Sequence, residues 1–235
     1  MHPTQEDART IAIIGAGVAG LTTAVWMHRR GHPVRVIDAG IPGNESTWAG
    51  GGIVSPVPPW TYPEEVNALV ARSRLLYPDL IAELEAVTGI DCEYRRSGLV
   101  LTVPPGPRGL DWMTHAEQPV VHGRLGDWEP DLAEPATPAI LLPEVAQVRN
   151  PRLAAALVGW LQSRGVSVEG GRPVRRLVGD AGILGGLEFE DGHRLACGRA
   201  VLAAGAWGDR ILSASGLQAL GLEPVRGQML AYRIN

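Results

Sequence analysis

Nothing in this sequence of 235 residues forms a basic run or stripe, and its net charge is −4, which argues against a general nucleic-acid binder. Arg29-Arg30 and Arg175-Arg176 are isolated pairs that read as solvated charges at a helix end and a strand edge. No apolar stretch approaches the length that spans a bilayer, and the amino-terminus lacks the basic-then-apolar pattern of a signal peptide. A cytoplasmic chain with no membrane contact is the expectation. Cysteine is scarce: Cys92 and Cys197 are the only two, too few for a zinc site and, in a reducing compartment, ordinary thiols by default. His28 and His32 have i, i+4 spacing, but Gly31 and Pro33 break any helix there, so no metal is expected. Internal repeats, low-complexity tracts and Ser/His/Asp or Cys/His constellations are missing as well. With 45% hydrophobic and 20% charged residues, the chain has the composition of a globular protein with room for one large or two small domains.

The positive signal lies in the first fifty residues. An apolar run, Thr10 to Ile14, leads into Gly15-Ala16-Gly17-Val18-Ala19-Gly20; a helix-length segment follows, then a second apolar run, Val34 to Ile37, ending on Asp38. This is the strand, glycine turn, helix, strand, acid order of a dinucleotide-binding βαβ unit. Gly15 permits the tight turn, Gly17 has no Cβ to block a pyrophosphate, and Gly20 lets the helix lie close to the sheet. The helix then aims its unpaired N–H groups and positive dipole end at the phosphates. Asp38 suits two ribose hydroxyls and repels a 2′-phosphate, so the pattern points to an adenine dinucleotide without that phosphate. The motif alone does not separate flavin from nicotinamide.

The rest of the chain narrows the choice. From Ala39 to Pro63 the sequence runs through a long glycine- and proline-rich loop, of a length that usually carries function. A periodic helix is expected from about Glu64 to Val87, kinked or split by Pro78, and a strand from Gly98 to Val103, ended by Pro104 to Pro107. Leu110 to Pro143 gives no clear pattern and reads as part of an inserted second domain. Asn150 as N-cap and Pro151 at the first helical position open another helix, running through Ser163 and closed by Gly165. Short strands at Val166 to Val168, Pro173 to Val178 and Leu184 to Glu190, with a hairpin turn at Asp191-Gly192, look like a return to the first sheet. Arg199 to Ala203 reads as a buried strand turning at Ala204-Gly205-Ala206-Trp207, and Pro224 to Tyr232 as a last strand. A nucleotide domain left after Asp38 and resumed near residue 166 is the habit of two-domain flavoproteins, whereas a nicotinamide dehydrogenase usually completes that domain in one run.

These residues resemble the D-amino-acid oxidase-like flavoproteins and, within them, the bacterial glycine oxidases of thiamine biosynthesis. The resemblance covers nearly the whole chain. It is carried by Gly15 to Gly20, Ser46-Thr47-Trp48-Ala49-Gly50-Gly51-Gly52-Ile53-Val54-Ser55-Pro56, Arg149 to Leu153, Ala203 to Trp207, and Pro224 to Met229. It implies an α/β fold in which a Rossmann-like, glutathione-reductase-like FAD-binding domain (1–88 and 146–220) is interrupted by an α+β substrate domain (89–145 and 221–235). It further implies that backbone groups of Ala16, Gly17, Val18 and Ala19 hold the FAD pyrophosphate. Asp38 and Ala39 would hold the adenosine ribose, Asp38 standing where most relatives have glutamate. Ser46 and Thr47 would contact phosphate or ribityl groups, and Gly51, Gly52 and Ile53 would lie along the isoalloxazine ring. Val174 would bond the adenine edge, and Gly205 would turn the later strand beneath the cofactor. Without the resemblance, Ser46 and Thr47 read equally as turn caps and Val174 as a core valine; Trp48, Trp60 and Trp207 read as packing residues.

The implied activity is oxidation of a small amino acid or amine, such as glycine, sarcosine or D-alanine, to an imino and then a keto acid, with dioxygen reduced to hydrogen peroxide. A D-amino-acid dehydrogenase that passes electrons to a quinone, and a non-catalytic FAD-binding fragment, stay open. The family's substrate-anchoring residues fall after the motif at Pro224 to Met229, so no catalytic residue is assigned, and a truncated chain with little or no oxidase activity of its own is expected. A homo-oligomer is the other partner the resemblance suggests.

Overall fold

Four short runs rich in β-branched residues build a parallel sheet. In the computed structural model, which describes residues 9–116, 118–225 and 227, they are β1 (Ile11–Ile14), β2 (Val34–Ile37), β6 (Ser167–Glu169) and β10 (Arg199–Leu202), in the order β10-β1-β2-β6. Ile11 pairs with both Val34 and Arg199, so three strands run in register. Side chains alternate across β1 and β2. Ala12, Ile14 and Ile37 join a core with Leu187 and Phe189, while Ile13 and Val36, on the opposite face, are also fully buried.

Chain contacts divide the protein into two units. The first takes in the described residues of Met1–Gly50, Val87–Ile90 and Asn150–Asn235. Besides the parallel sheet it holds α1 (Val18–Arg29), α2 (Ser46–Ala49) and α5 (Asn150–Ser163). Helix α5 packs on α1 through a face of Leu153, Leu157, Trp160 and Leu161, and His28 meets Trp160 edge-on. Gly165, with φ +75°, follows the end of α5. Strands β7 (Val174–Asp180), β8 (Ile183–Phe189) and β9 (Arg194–Ala196) form a separate antiparallel sheet, with α6 (Gly208–Ala214) against β7.

The sequence expectation therefore needs correcting here. Val166 to Val168 does return to the parallel sheet, as β6 beside β2, but the two strands after it do not. Ala181 and Gly182, both at positive φ, fold β7 back on β8, and a hairpin cannot supply two parallel strands. β10 is half-buried rather than buried because it lies at the sheet's edge among the described residues. The last expected strand, Pro224 to Tyr232, lies largely outside the described residues.

The second unit comprises Gly51–Ala86 and Asp91–Arg149. The expected domain boundaries differ: they placed 51–86 and 146–149 with the nucleotide domain. Those residues bond into this unit, Val148 N–H donating to the Gly52 carbonyl (2.9 Å) and Val54 N–H to Ala146 (2.8 Å). Helix α3 (Glu64–Thr88) runs through Pro78 without being split. An antiparallel sheet, β3 (Leu99–Leu101), β5 (Pro138–Leu142) and β4 (Val121–Arg124), carries a core of Trp60, Leu101, Ile140, Leu142 and Val145. Helix α4 (Gly106–His115) was not foreseen, since Pro105 and Pro107 read as the end of a strand. Proline also suits a helix's first turn, and that is its use here. No helix among the described residues is long and apolar enough to cross a membrane. Cys92 and Cys197 are buried and form no disulfide.

Candidate cofactor site

The carboxyl ends of the four parallel strands carry the loops that matter. β1 sits where the strand order changes direction, the position at which open α/β sheets bind ligands. Gly15 leaves β1 with φ +105°, and a Cβ there would run into the Ala203 carbonyl at the end of β10. Gly20 lies against the Gly15 carbonyl and 3.4 Å, measured from an ideal Cβ, from the Ala203 methyl. Both glycines are thus fixed by close approach of three segments: turn, helix and later strand.

Gly17 is the N-cap of α1 and brings no side chain to cap it. Thr47 does so from the second turn-forming segment: Val18 N–H donates to its Oγ1 (2.8 Å). An ideal Cβ on Gly17 would come 3.2 Å from that oxygen. Thr47 thus reaches the helix terminus as a cap made by tertiary contact, while Ser46 is exposed at the start of α2.

Asp38 is tied into the turn by both carboxylate oxygens. Ala16 N–H donates to Oδ2 (2.6 Å) and Gly40 N–H to Oδ1 (2.8 Å). This narrows the expectation that all of Ala16 to Ala19 faces a pyrophosphate, because Ala16 and Val18 already have protein acceptors. The N–H groups of Gly17 and Ala19 donate to nothing among the described residues. Each Asp38 oxygen keeps a second lone pair for a hydroxyl donor. Two free amides at the amino end of a 12-residue helix, an acid at the end of β2, and no Cβ at Gly17 make a cradle that fits a dinucleotide.

The neighbouring loops are held by the same approach of backbones. Gly43 N–H donates to the Ala16 carbonyl (2.8 Å), and a Cβ on Gly43 would sit 2.6 Å from the Ala154 methyl of α5. Arg172 N–H donates to the Asp38 carbonyl (2.8 Å), which places the segment leading to Val174 beside exposed Ala39. Val174 itself is buried in the core and pairs with Phe189. Gly205, at φ +52°, starts the turn that follows β10 and is exposed.

Sequence reading missed Arg172. Its guanidinium lies over the Phe189 ring (4.2 Å) and 3.5 Å from Glu169, and its Nε is buried with no hydrogen-bond partner among the described residues. The Glu169 carboxyl is held below the usual carboxylate range, first by the hydrogen bond from Arg35. Nothing in the order Arg172-Pro173 marks these contacts, since they depend on Glu169 of β6 and Phe189 of β8 both lying within reach of one guanidinium.

Gly51, Gly52 and Ile53 belong to the second unit. Gly51 is exposed, Gly52 adopts φ +75°, and Ile53 bridges to Gln147 with 47% of its surface exposed. Trp60 packs as expected, at 7% exposure, but Trp48 (57%) and Trp207 (50%) do not. Both lie in short helical turns.

Comparison with known proteins agrees with this geometry. The sequence pattern of the family described as DAO, FAD dependent oxidoreductase, matches residues 10–235. The chain is 37% identical to glycine oxidase of Pseudomonas putida over 231 residues, 96% of this chain and 63% of that protein. Against glycine oxidase of Pseudomonas aeruginosa it is 35% identical over 228 residues, covering 95% and 62%. The crystal structure of glycine oxidase from Geobacillus kaustophilus superposes with a TM-score of 0.78 at 28% identity, covering 90% of this chain and 60% of that one. The chain therefore spans under two thirds of the length of these relatives.

Proposed function

Since the chain belongs to the DAO family of FAD dependent oxidoreductases, we propose that the protein oxidises glycine or a similarly small amino acid or amine. From an amino acid the products are an imino acid, which water hydrolyses to an oxo acid and ammonia (methylamine where the substrate is sarcosine), and hydrogen peroxide from dioxygen. Bound FAD supplies the two-electron acceptor for this chemistry. The chain's own residues bind and orient. Gly17 and Ala19 offer N–H donors to the pyrophosphate, and Asp38, with Ala39 beside it, receives the ribose hydroxyls. Thr47 holds the first turn of α1 in shape for that contact. Val174 offers backbone groups to the adenine edge, Gly205 turns the chain beneath the cofactor, and Gly51 to Ile53 line the flavin ring.

Similarity to two glycine oxidases along almost the whole chain carries this reading. It is tested by loading the purified chain with FAD, removing unbound FAD by gel filtration, and recording the visible spectrum. Retained flavin at one per chain is the expected result, and peroxide from glycine, sarcosine or D-alanine is expected where the segment matching the rest of the relatives' length is also present. A colourless protein overturns the cofactor placement. In a protein that carries that further segment, bound flavin with no peroxide from any of the three overturns the substrate assignment alone.

A further inference from the structure

The acid that ends β2 is itself held in place by a second segment of chain. Asp38 N–H donates to the Glu169 carbonyl (2.8 Å), and the Asp38 carbonyl accepts from Arg172 N–H (2.8 Å). Gly171 N–H donates to the Gly40 carbonyl (2.9 Å). Residues 169–172 thus run beside residues 38–40 and extend the pairing of Ile37 with Glu169 in the parallel sheet. The position of the Asp38 carboxylate, and its distance from the Val174 backbone that follows, are therefore set from this second segment.

The segment's own backbone does little to fix it. Gly170 has to be glycine, since an ideal Cβ there would lie 2.6 Å from the Gly40 carbonyl oxygen, and Gly171 follows at φ +67°. The restraint comes from the side chains on either side of this glycine pair. Before it, the Glu169 carboxylate accepts from Arg35 Nε and from the Ser167 hydroxyl (2.9 Å). After it, the Arg172 guanidinium stands 3.5 Å from Glu169 and 4.2 Å over the Phe189 ring. Glu169 belongs to the parallel sheet and Phe189 to the antiparallel one, so a single guanidinium ties the two sheets together across the glycines. Pro173 adds to the restraint by disfavouring helical backbone at Arg172.

We propose that Arg172 is a positioning residue for the adenosine half of the cofactor: clamped between Glu169 and Phe189, it fixes the Asp38 carboxylate where the ribose hydroxyls meet it. The inference rests on the proposed placement of the ribose at Asp38 and adds a residue that acts through that acid. The test is calorimetric titration of the full chain, freed of flavin, with ADP and with 2′-deoxy-ADP. Loss of the hydroxyl should weaken binding to the unaltered chain about tenfold, the worth of a hydrogen bond to a charged acceptor. In R172Q the ratio should shrink to about threefold or less, and R172K, which keeps a cation between carboxylate and ring, should restore it. E169Q removes the other half of the clamp and should shrink the ratio likewise, with the double variant losing no more than either single one. A merely structural loss weakens both nucleotides alike and leaves the ratio intact; that result, in R172Q and E169Q, overturns the role of Arg172. Failure of the unaltered chain to prefer ADP overturns the placement of the ribose at Asp38, and the role of Arg172 with it.

Discussion

Thr47 and Asp38 show how much of the cradle is made by single side chains reaching across the fold. Gly17 must lack a side chain for a pyrophosphate to approach, and for the same reason it cannot cap its own helix. Thr47, 29 positions from Val18, supplies the missing acceptor. Thr47→Val should therefore destabilise the chain by about 1 kcal/mol in urea denaturation, and Thr47→Ser should restore most of it. Asp38 is one methylene shorter than a glutamate, and its two backbone bonds use that shortness: the carboxylate stays close enough to brace the turn at Ala16 and the bend at Gly40. The acid was legible in the sequence from its spacing. Its second job was not, because a contact between residues 16 and 38 depends on where the turn and the strand end meet.

At the level of elements, periodicity and caps were informative and prolines were ambiguous. Helices α3 and α5 appear where apolar spacing and the Asn150-Pro151 start place them. Pro78 was expected to kink or split α3; the helix is not split, so the unit's contacts outweigh a lost hydrogen bond and the ring's clash. Pro78→Ala should then raise the stability of the chain by about 1–3 kcal/mol, read as a higher urea midpoint. Helix α4 went unseen because its apolar residues are few and Gly109 sits in its middle. That glycine is explained by its close neighbours: an ideal Cβ there would sit 2.5 Å from the Pro105 side chain and 3.1 Å from the Trp60 ring. The antiparallel sheet has its own electrostatic ladder, with Arg176, Glu188 and Arg194 directly opposite one another on β7, β8 and β9.

For the whole molecule, that ladder sets a pH dependence. Glu188 is 7% exposed and accepts from Arg176 at 2.9 and 2.8 Å and from Arg194 at 2.9 Å. These bonds, Arg176 first, lower its carboxyl from the usual range to about 2. A carboxyl lowered by folding stabilises the native state fully above its unfolded value, about 4.3, and loses that contribution as pH falls from there toward 2. Thermal melts between pH 5 and about 2 should show a steep fall in midpoint for the native chain. Glu188→Gln should start lower at pH 5 and fall less; parallel curves would show that the ladder is not responsible. By itself the sequence determined the βαβ unit, its glycines, its acid and the interruption after it, because turn geometry and strand periodicity are local and leave local marks. Only the tertiary structure decided which amides of the turn stay open, which side chain caps α1, and that β7 to β9 stand apart from the parallel sheet. Those outcomes depend on the close approach of segments far apart in the chain, and no short window of residues records such an approach.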